Sequence, residues 1–335
     1  MMRAHESLLD AIGHTPLVRL TQLTRGLPSP IYAKLEMMNP GGSVKDRIGL
    51  AMIDDAEARG LLQPGGTIVE PTSGNTGMGL AIVAAIRGYH CIFTMPDKMS
   101  REKIDLLRAM GAEVVVCPTN VAPDDPESYY SVAKRLAAET PGGYSPNQYE
   151  NPANPAAHER ATGPEIWEQT EGRVDYFVCG IGTCGTITGI GRALKAHNPK
   201  VQVVAVDPEG SILKDYIETG EYHPEDAQPY LVEGIGEDII PKTLDVSVID
   251  RVIKVNDRDS LLTARALSRQ EGLFVGGSCG SAMVGALQIA REQTEPKTIV
   301  VLFPDGGGRY LSKLYNDDWM RAHGLEDEPV AAAVR

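Results

Sequence analysis

Lys45 is the side chain in this sequence with the clearest chemical potential. It lies in Gly41-Gly42-Ser43-Val44-Lys45-Asp46-Arg47, at the start of a helix-like run over 46–59. Ser43 and Asp46 have the spacing of a capping box, with Asp in place of Glu. Lys45 would then lie in a first helical turn, where unpaired N–H groups carry partial positive charge and disfavour a cation. A neutral amine is a nucleophile, and lysines of this kind form Schiff bases. On spacing alone the stretch also fits an ordinary solvated loop lysine, so the reading depends on what else reaches that amine.

Three further loops sit where a strand ends and a helix begins, the edge at which open α/β sheets bind ligands. Pro71-Thr72-Ser73-Gly74-Asn75-Thr76-Gly77 offers hydroxyls, an amide and helix N-terminal N–H groups, a cradle for carboxylate or phosphate; it also fits a plain capped helix start. Gly180-Ile181-Gly182-Thr183-Cys184-Gly185 matches the dinucleotide fingerprint, with Asp207 ending the next strand. An NAD-dependent dehydrogenase is therefore a rival reading. Thr183, Thr186 and Thr188 tip the balance, because added hydroxyls suit a terminal phosphate more than a pyrophosphate. Pro304-Asp305-Gly306-Gly307-Gly308-Arg309 fits either a close approach to a flat ligand or a tight turn.

One ligand accounts for all four stretches: pyridoxal phosphate. Its aldehyde needs Lys45, its phosphate the Gly182–Thr186 opening, its ring a partner such as Asn75. The attached amino acid needs the Thr72–Thr76 cradle.

The elements that must hold these loops read as alternating strands and helices. Strands are expected at 31–36, 67–70, 89–95, 113–117, 176–180, 202–206, 252–255, 273–275 and 298–303. Helices are expected at 6–12, 46–59, 75–87, 100–110, 127–138, 156–169, 186–197, 257–271 and 281–293. β-branched runs alternating with helical patterns imply parallel sheets covered on both faces. The Pro/Asn-rich stretch 145–155 marks a boundary or hinge, and 209–250 reads as a long irregular functional loop.

The chain has 335 residues, 42% hydrophobic content and a net charge of -13. That length supports two lobes. The acidic balance with no basic run argues against nucleic acid and anionic membranes. Five scattered cysteines, with no zinc-ligand spacing, suggest a reducing cytosol and no metal site. No signal-like or membrane-length apolar run is present, so a cytoplasmic protein is expected.

The lysine stretch together with Glu70–Gly77 resembles the fold-type II pyridoxal-phosphate β-replacement enzymes, the cysteine synthase and cystathionine β-synthase group. The similarity runs from about Leu9 to Gly324. Asp97-Lys98-Met99-Ser100, Asp207–Ser211 and Val232–Gly236 resemble the cystathionine β-synthase branch. Asn151–Pro155 and Gly163–Trp167 also occur in cysteine synthases. The resemblance implies an α/β, tryptophan synthase β-like fold of two lobes, each with a mostly parallel sheet flanked by helices. The smaller, mobile lobe would be 39–148, the larger 1–38 plus 149–325, and 326–335 a flexible tail.

It also implies roles: Lys45 holds the cofactor, Asn75 meets its ring hydroxyl, and Gly182, Thr183, Cys184, Gly185 and Thr186 bind its phosphate. Thr72, Ser73, Thr76 and Gln148 hold the substrate carboxylate; Tyr149, Gly234 and Gly236 lie near a second, thiol-bearing substrate. Serine with homocysteine is the implied pair, O-acetylserine with sulfide the alternative, in a homodimer. Two departures stand out. Cys184 replaces the middle glycine of the group's phosphate loop. The serine expected at the pyridine nitrogen near the last strand is missing; Asp305-Gly306 stands there, so Asp305, water or another group takes that place. The haem segment and regulatory domain of the group's long members are not expected.

Overall fold

The computed structural model describes residues 4–325. Strands β1 (Leu17–Arg19) and β2 (Ile31–Leu35) precede β3 (Thr67–Pro71), β4 (His90–Pro96), β5 (Glu113–Cys117) and β6 (Gly143–Tyr144). Strands β7 (Tyr176–Gly180), β8 (Gln202–Pro208), β9 (Arg251–Val255) and β10 (Ile299–Phe303) follow. They form a six-stranded sheet, β1-β2-β10-β7-β8-β9, and a four-stranded sheet, β5-β4-β3-β6. The four-stranded sheet lies wholly within 39–148 and the other wholly outside it. Every strand pair is parallel except the antiparallel β1–β2 pair at one edge.

Helices α1 (Lys45–Ala58), α2 (Asn75–Arg87), α3 (Arg101–Ala109) and α4 (Tyr129–Glu139) accompany the smaller sheet in sequence. Then come α5 (Ala153–Ala157), α6 (Gly163–Gln169), α7 (Gly185–His197), α8 (Leu213–Thr219), α9 (Asp257–Ala266), α10 (Gly277–Glu292) and α11 (Asp317–Ala322). Continuous apolar runs such as Ile299–Phe303 are buried along their whole length, as strands covered on both faces must be. One core, around Ile48, Leu80 and Phe93, belongs to the small sheet. Two others, around Val301 and Phe177, cover the large one.

Several expectations need correction. Residues 273–275 are not a strand; Val275 makes only an isolated bridge to Gly306, since Gly272 at φ +72° and the start of α10 leave no room for a ladder. The irregular stretch 209–250 contains α8. The helix expected at 156–169 begins at Ala153 and passes through a π turn, His158–Thr162. A second π turn, Leu267–Glu271, ends the helix expected at 257–271. The helix read as 281–293 starts earlier, at Gly277, and β6 was invisible as a two-residue strand. The tail 326–335 lies outside the described residues. Among those described, no helix is long and apolar enough to cross a membrane.

The lysine helix is fixed to both sheets. Val44 N–H donates to the Pro304 carbonyl at 2.8 Å, and Ser43 bridges Asp305, so the lysine loop is stitched to the end of β10. Two residues beyond Lys45, Arg47 donates to Glu36 and Glu165, each at 2.7 Å, and Glu165 also takes the fully buried Lys34 at 2.7 Å. Against α2 the contact is glycine on glycine: a Cβ at Gly49 would lie 2.6 Å from the Gly79 carbonyl carbon, and one at Gly79 would lie 2.6 Å from the Lys45 carbonyl oxygen.

Candidate active site

The capping box expected at Ser43 and Asp46 does not form. Ser43 Oγ accepts from Lys45 N–H at 3.2 Å, but Asp46 turns back to the Gly41 N–H, and its other oxygen is buried without a partner. Burial pushes the Asp46 carboxyl up to about 7. The Lys45 amine is lowered from its ordinary value chiefly by withdrawal from water. Burial, more than the helix start expected from the sequence, is therefore what disfavours the cation. The amine's partial exposure is toward a cavity, and it donates weakly to Thr183 Oγ1 at 3.4 Å.

That cavity holds about 370 Å³ and is lined, among others, by Lys45, Ser73, Gln148, Tyr149, Thr183, Gly234 and Gly236. The remaining predicted residues lie behind this wall or beside it. At the β3–α2 turn, Thr72 Oγ1 is spent inside the loop, accepting from Gly74 N–H and Gly77 N–H. Thr76 donates to Gln148 at 2.6 Å, and Gln148 donates to the Pro71 carbonyl. Among the described residues the Ser73, Asn75 and Thr76 N–H groups have no acceptor, which leaves them available to an anion.

The β7–α7 turn is built the same way. Thr183, Cys184, Gly185 and Thr186 have backbone N–H groups with no acceptor among the described residues, at the open end of α7. Cys184 sits at φ +61°, a left-handed conformation that suits glycine and strains a side chain. Gly185 must be glycine, since a Cβ there would stand 1.9 Å from Asn154 Oδ1. Two residues outside the sequence reading brace this turn. Asn154 Nδ2 donates to the Gln148 carbonyl and to Thr183 Oγ1. His158, in the π turn, faces Thr186 Oγ1 at 3.3 Å and is held well below its ordinary value by burial and the Arg47 and Lys45 charges. No local sequence signal marks His158; the π turn that presents it, a feature that concentrates at functional sites, shows only in the fold.

Asn75 donates to Asp305 Oδ2 at 2.8 Å and accepts from Arg309, which also reaches the Gly41 carbonyl. Tyr310 donates to the same Asp305 oxygen at 2.7 Å, while Asp305 Oδ1 is buried and unpartnered. Gly306 bridges Val275. A buried serine lies close to this loop on another element: Ser278, in the first turn of α10, with no side-chain hydrogen bond among the described residues. Gly276, two residues before it, packs so closely that a Cβ would lie 2.1 Å from Asp305 Oδ1. Only the fold shows that these two segments meet.

The dinucleotide reading needs Asp207 free for a ribose. Asp207 is instead fully buried, accepting from Lys254 Nζ at 2.8 Å and Lys214 N–H at 3.0 Å.

An amine, an anion-binding helix start and a second hydroxyl-lined helix start around one cavity define an enzyme site for a phosphorylated aldehyde cofactor. The sequence matches the pyridoxal-phosphate dependent enzyme family over residues 8–305, and the chain belongs to that family. Its cofactor is pyridoxal 5'-phosphate, and the residues present fit it: the four unpartnered N–H groups at α7 match a phosphate, and the lysine reaches the same space. Cystathionine beta-synthase of Apis mellifera is 51% identical over 320 residues, 95% of this chain and 63% of the relative. That of Rattus norvegicus is 50% identical over 326 residues, 97% of this chain and 58% of the relative. The chain thus spans about three fifths of the length of these curated relatives. Among solved structures, an O-ureido-L-serine synthase superimposes with a TM-score of 0.85, 39% identity and 99% coverage of both chains. An O-acetylserine dependent cystathionine beta-synthase from Helicobacter pylori gives 0.83 and 40%, covering 93% of this chain and 99% of that one.

Proposed function

We propose that this protein catalyses β-replacement on serine or an activated serine by a thiol, with serine and homocysteine giving cystathionine as the pair the relatives support best. The observation that carries the reading is the shared cavity of Lys45, Ser73, Gln148 and Thr183. Lys45 would hold the cofactor covalently, Gly182–Thr186 would take its phosphate, and Asn75, Asp305 and Ser278 would stand by its ring. The cofactor supplies an electron sink for the carbon from which a proton is removed. The Lys45 amine would be placed to take the Cα proton and return one to the leaving group, a role its lowered basicity favours. The Ser73, Asn75 and Thr76 N–H groups, with Thr72 and Gln148 organising the loop, bind the substrate carboxylate. Closure of the 39–148 lobe excludes water from the reacting centre.

Purified protein is expected to be yellow, and Lys45→Ala to be colourless and inactive; retained turnover in that variant sinks the assignment. Mass-spectrometric product identification with mixed donors separates the pairs. The likeness to an O-acetylserine dependent enzyme favours O-acetylserine as a second candidate for the first substrate; with sulfide it would give cysteine. The reading includes a homodimer in the cytoplasm: the resemblance supports the first, and the five free cysteines support a reducing compartment. Sedimentation tests the dimer.

A further inference from the structure

Glu237 has no role in the chemistry above, yet it lines the same cavity as Lys45, Tyr149 and Thr183. Its backbone is held on both sides: Glu237 N–H donates to Ser211 Oγ at 3.1 Å, and its carbonyl accepts from Ile212 N–H at 3.1 Å. The neighbouring Gly236 N–H donates to the Ile181 carbonyl at 2.6 Å, which ties the segment to the phosphate turn. A Cβ at Gly182 would stand 3.6 Å from Glu237 Oε1, so the carboxyl lies beside that turn. Its own oxygens make no hydrogen bond among the described residues. Of the other two acids on this wall, Glu233 is occupied, pairing with Lys103 at 2.7 Å and with Lys313, while Asp238 is the sequence neighbour of Glu237.

A positioned carboxyl without a partner, facing a binding space, is complementary to a cation. Resting on the β-replacement reading, we propose that Glu237 receives the α-ammonium group of an amino-acid thiol as the second substrate. The inference selects among nucleophiles. Hydrosulfide brings no cationic donor to this carboxyl, whereas a zwitterionic thiol brings an ammonium group that pairs with it. Lys98, over the Tyr230 ring at 5.4 Å, lines the same cavity and supplies a positive charge there. The ordering of the site also agrees. Burial and the adjacent Asp238 push the Glu237 carboxyl up to about 8, so it stays largely protonated until a cation arrives.

The test compares two thiols of the same length on the holoenzyme, homocysteine and 4-mercaptobutyrate, the second lacking only the ammonium. In Glu237→Gln, kcat/KM for homocysteine is expected to fall by about tenfold or more, through KM, the size of a lost charge-assisted hydrogen bond. Turnover of 4-mercaptobutyrate is expected to stay within about twofold on the same scale. Glu237→Asp, which keeps a carboxyl, retains a preference for homocysteine, and serves as the readout if Glu237→Gln loses its cofactor. Equal losses for both thiols would assign Glu237 to proton transfer or shape and overturn the inference, as would no change for either. A wild-type enzyme that turns over neither thiol would instead refute β-replacement by amino-acid thiols, and this inference with it.

Discussion

Replacing Gly79 by alanine tests whether the α1–α2 contact sets the position of the reactive lysine. The added Cβ would lie 2.6 Å from the Lys45 carbonyl oxygen and 3.0 Å from Asp46 Cα. Ordinary contact needs about 3.5 Å, so the backbone at Lys45 must retreat by roughly 0.9 Å. Overpacking of this kind costs about 1–3 kcal/mol. With an unfolding entropy of about 2.1 cal/mol/K per residue, that is roughly a 1.5–4 °C fall in Tm for a chain of 335 residues. The larger effect is expected on chemistry, because a displacement of about 1 Å at a reacting group can lower the rate about a hundredfold. Gly88→Ala is the control. Gly88 caps the same helix at φ +77° with nothing within 4 Å, so alanine there adds backbone strain of about 1 kcal/mol without touching Lys45. Steady-state kcat/KM, the visible absorption band and Tm are measured on both variants. If Gly79→Ala retains the kcat/KM of Gly88→Ala, the lysine is not positioned by this contact.

Removing one charge from the Arg47–Glu165–Lys34 network, as in Glu165→Gln, leaves buried cations short of a partner and is expected to cost about 3–5 kcal/mol, roughly 4–7 °C in Tm by thermal melting. Cys184→Gly relieves the left-handed strain and keeps cofactor affinity, whereas β-branched Cys184→Val weakens it; fluorescence titration with the cofactor reads both. The Glu237 carboxyl faces Asp238, Lys98, Lys45 and Asp207 and is raised to about 8 in the folded chain. The folded state therefore binds the extra proton, and this group's contribution to stability is lost as pH climbs from about 4.5 toward that value. Wild type should lose Tm relative to Glu237→Gln over that window in the cofactor-free protein; a pH-independent difference contradicts the assigned burial.

Local chemistry was legible wherever it was written in adjacent residues. Asn75–Arg87, Glu113–Cys117 and Tyr176–Gly180 were read with their observed ends, because strand runs and helix periodicity lie within one window. The lysine stretch and the two glycine- and threonine-rich turns were legible for the same reason: anion-binding helix starts are local backbone devices. Boundaries failed where tertiary contacts override propensity, as at the π turns and at 273–275.

What the sequence determined by itself is the lysine stretch, the two open helix starts and the alternation of elements that carry them. What only the tertiary structure decided is which distant residues share a wall: Arg47 with Glu165, Ser278 beside Asp305, and Glu237 within the cavity of Lys45. The physical reason is burial. A lysine's basicity, a carboxyl's missing partner and a glycine's necessity are set by atoms brought close from hundreds of residues away, and no local spacing encodes that proximity.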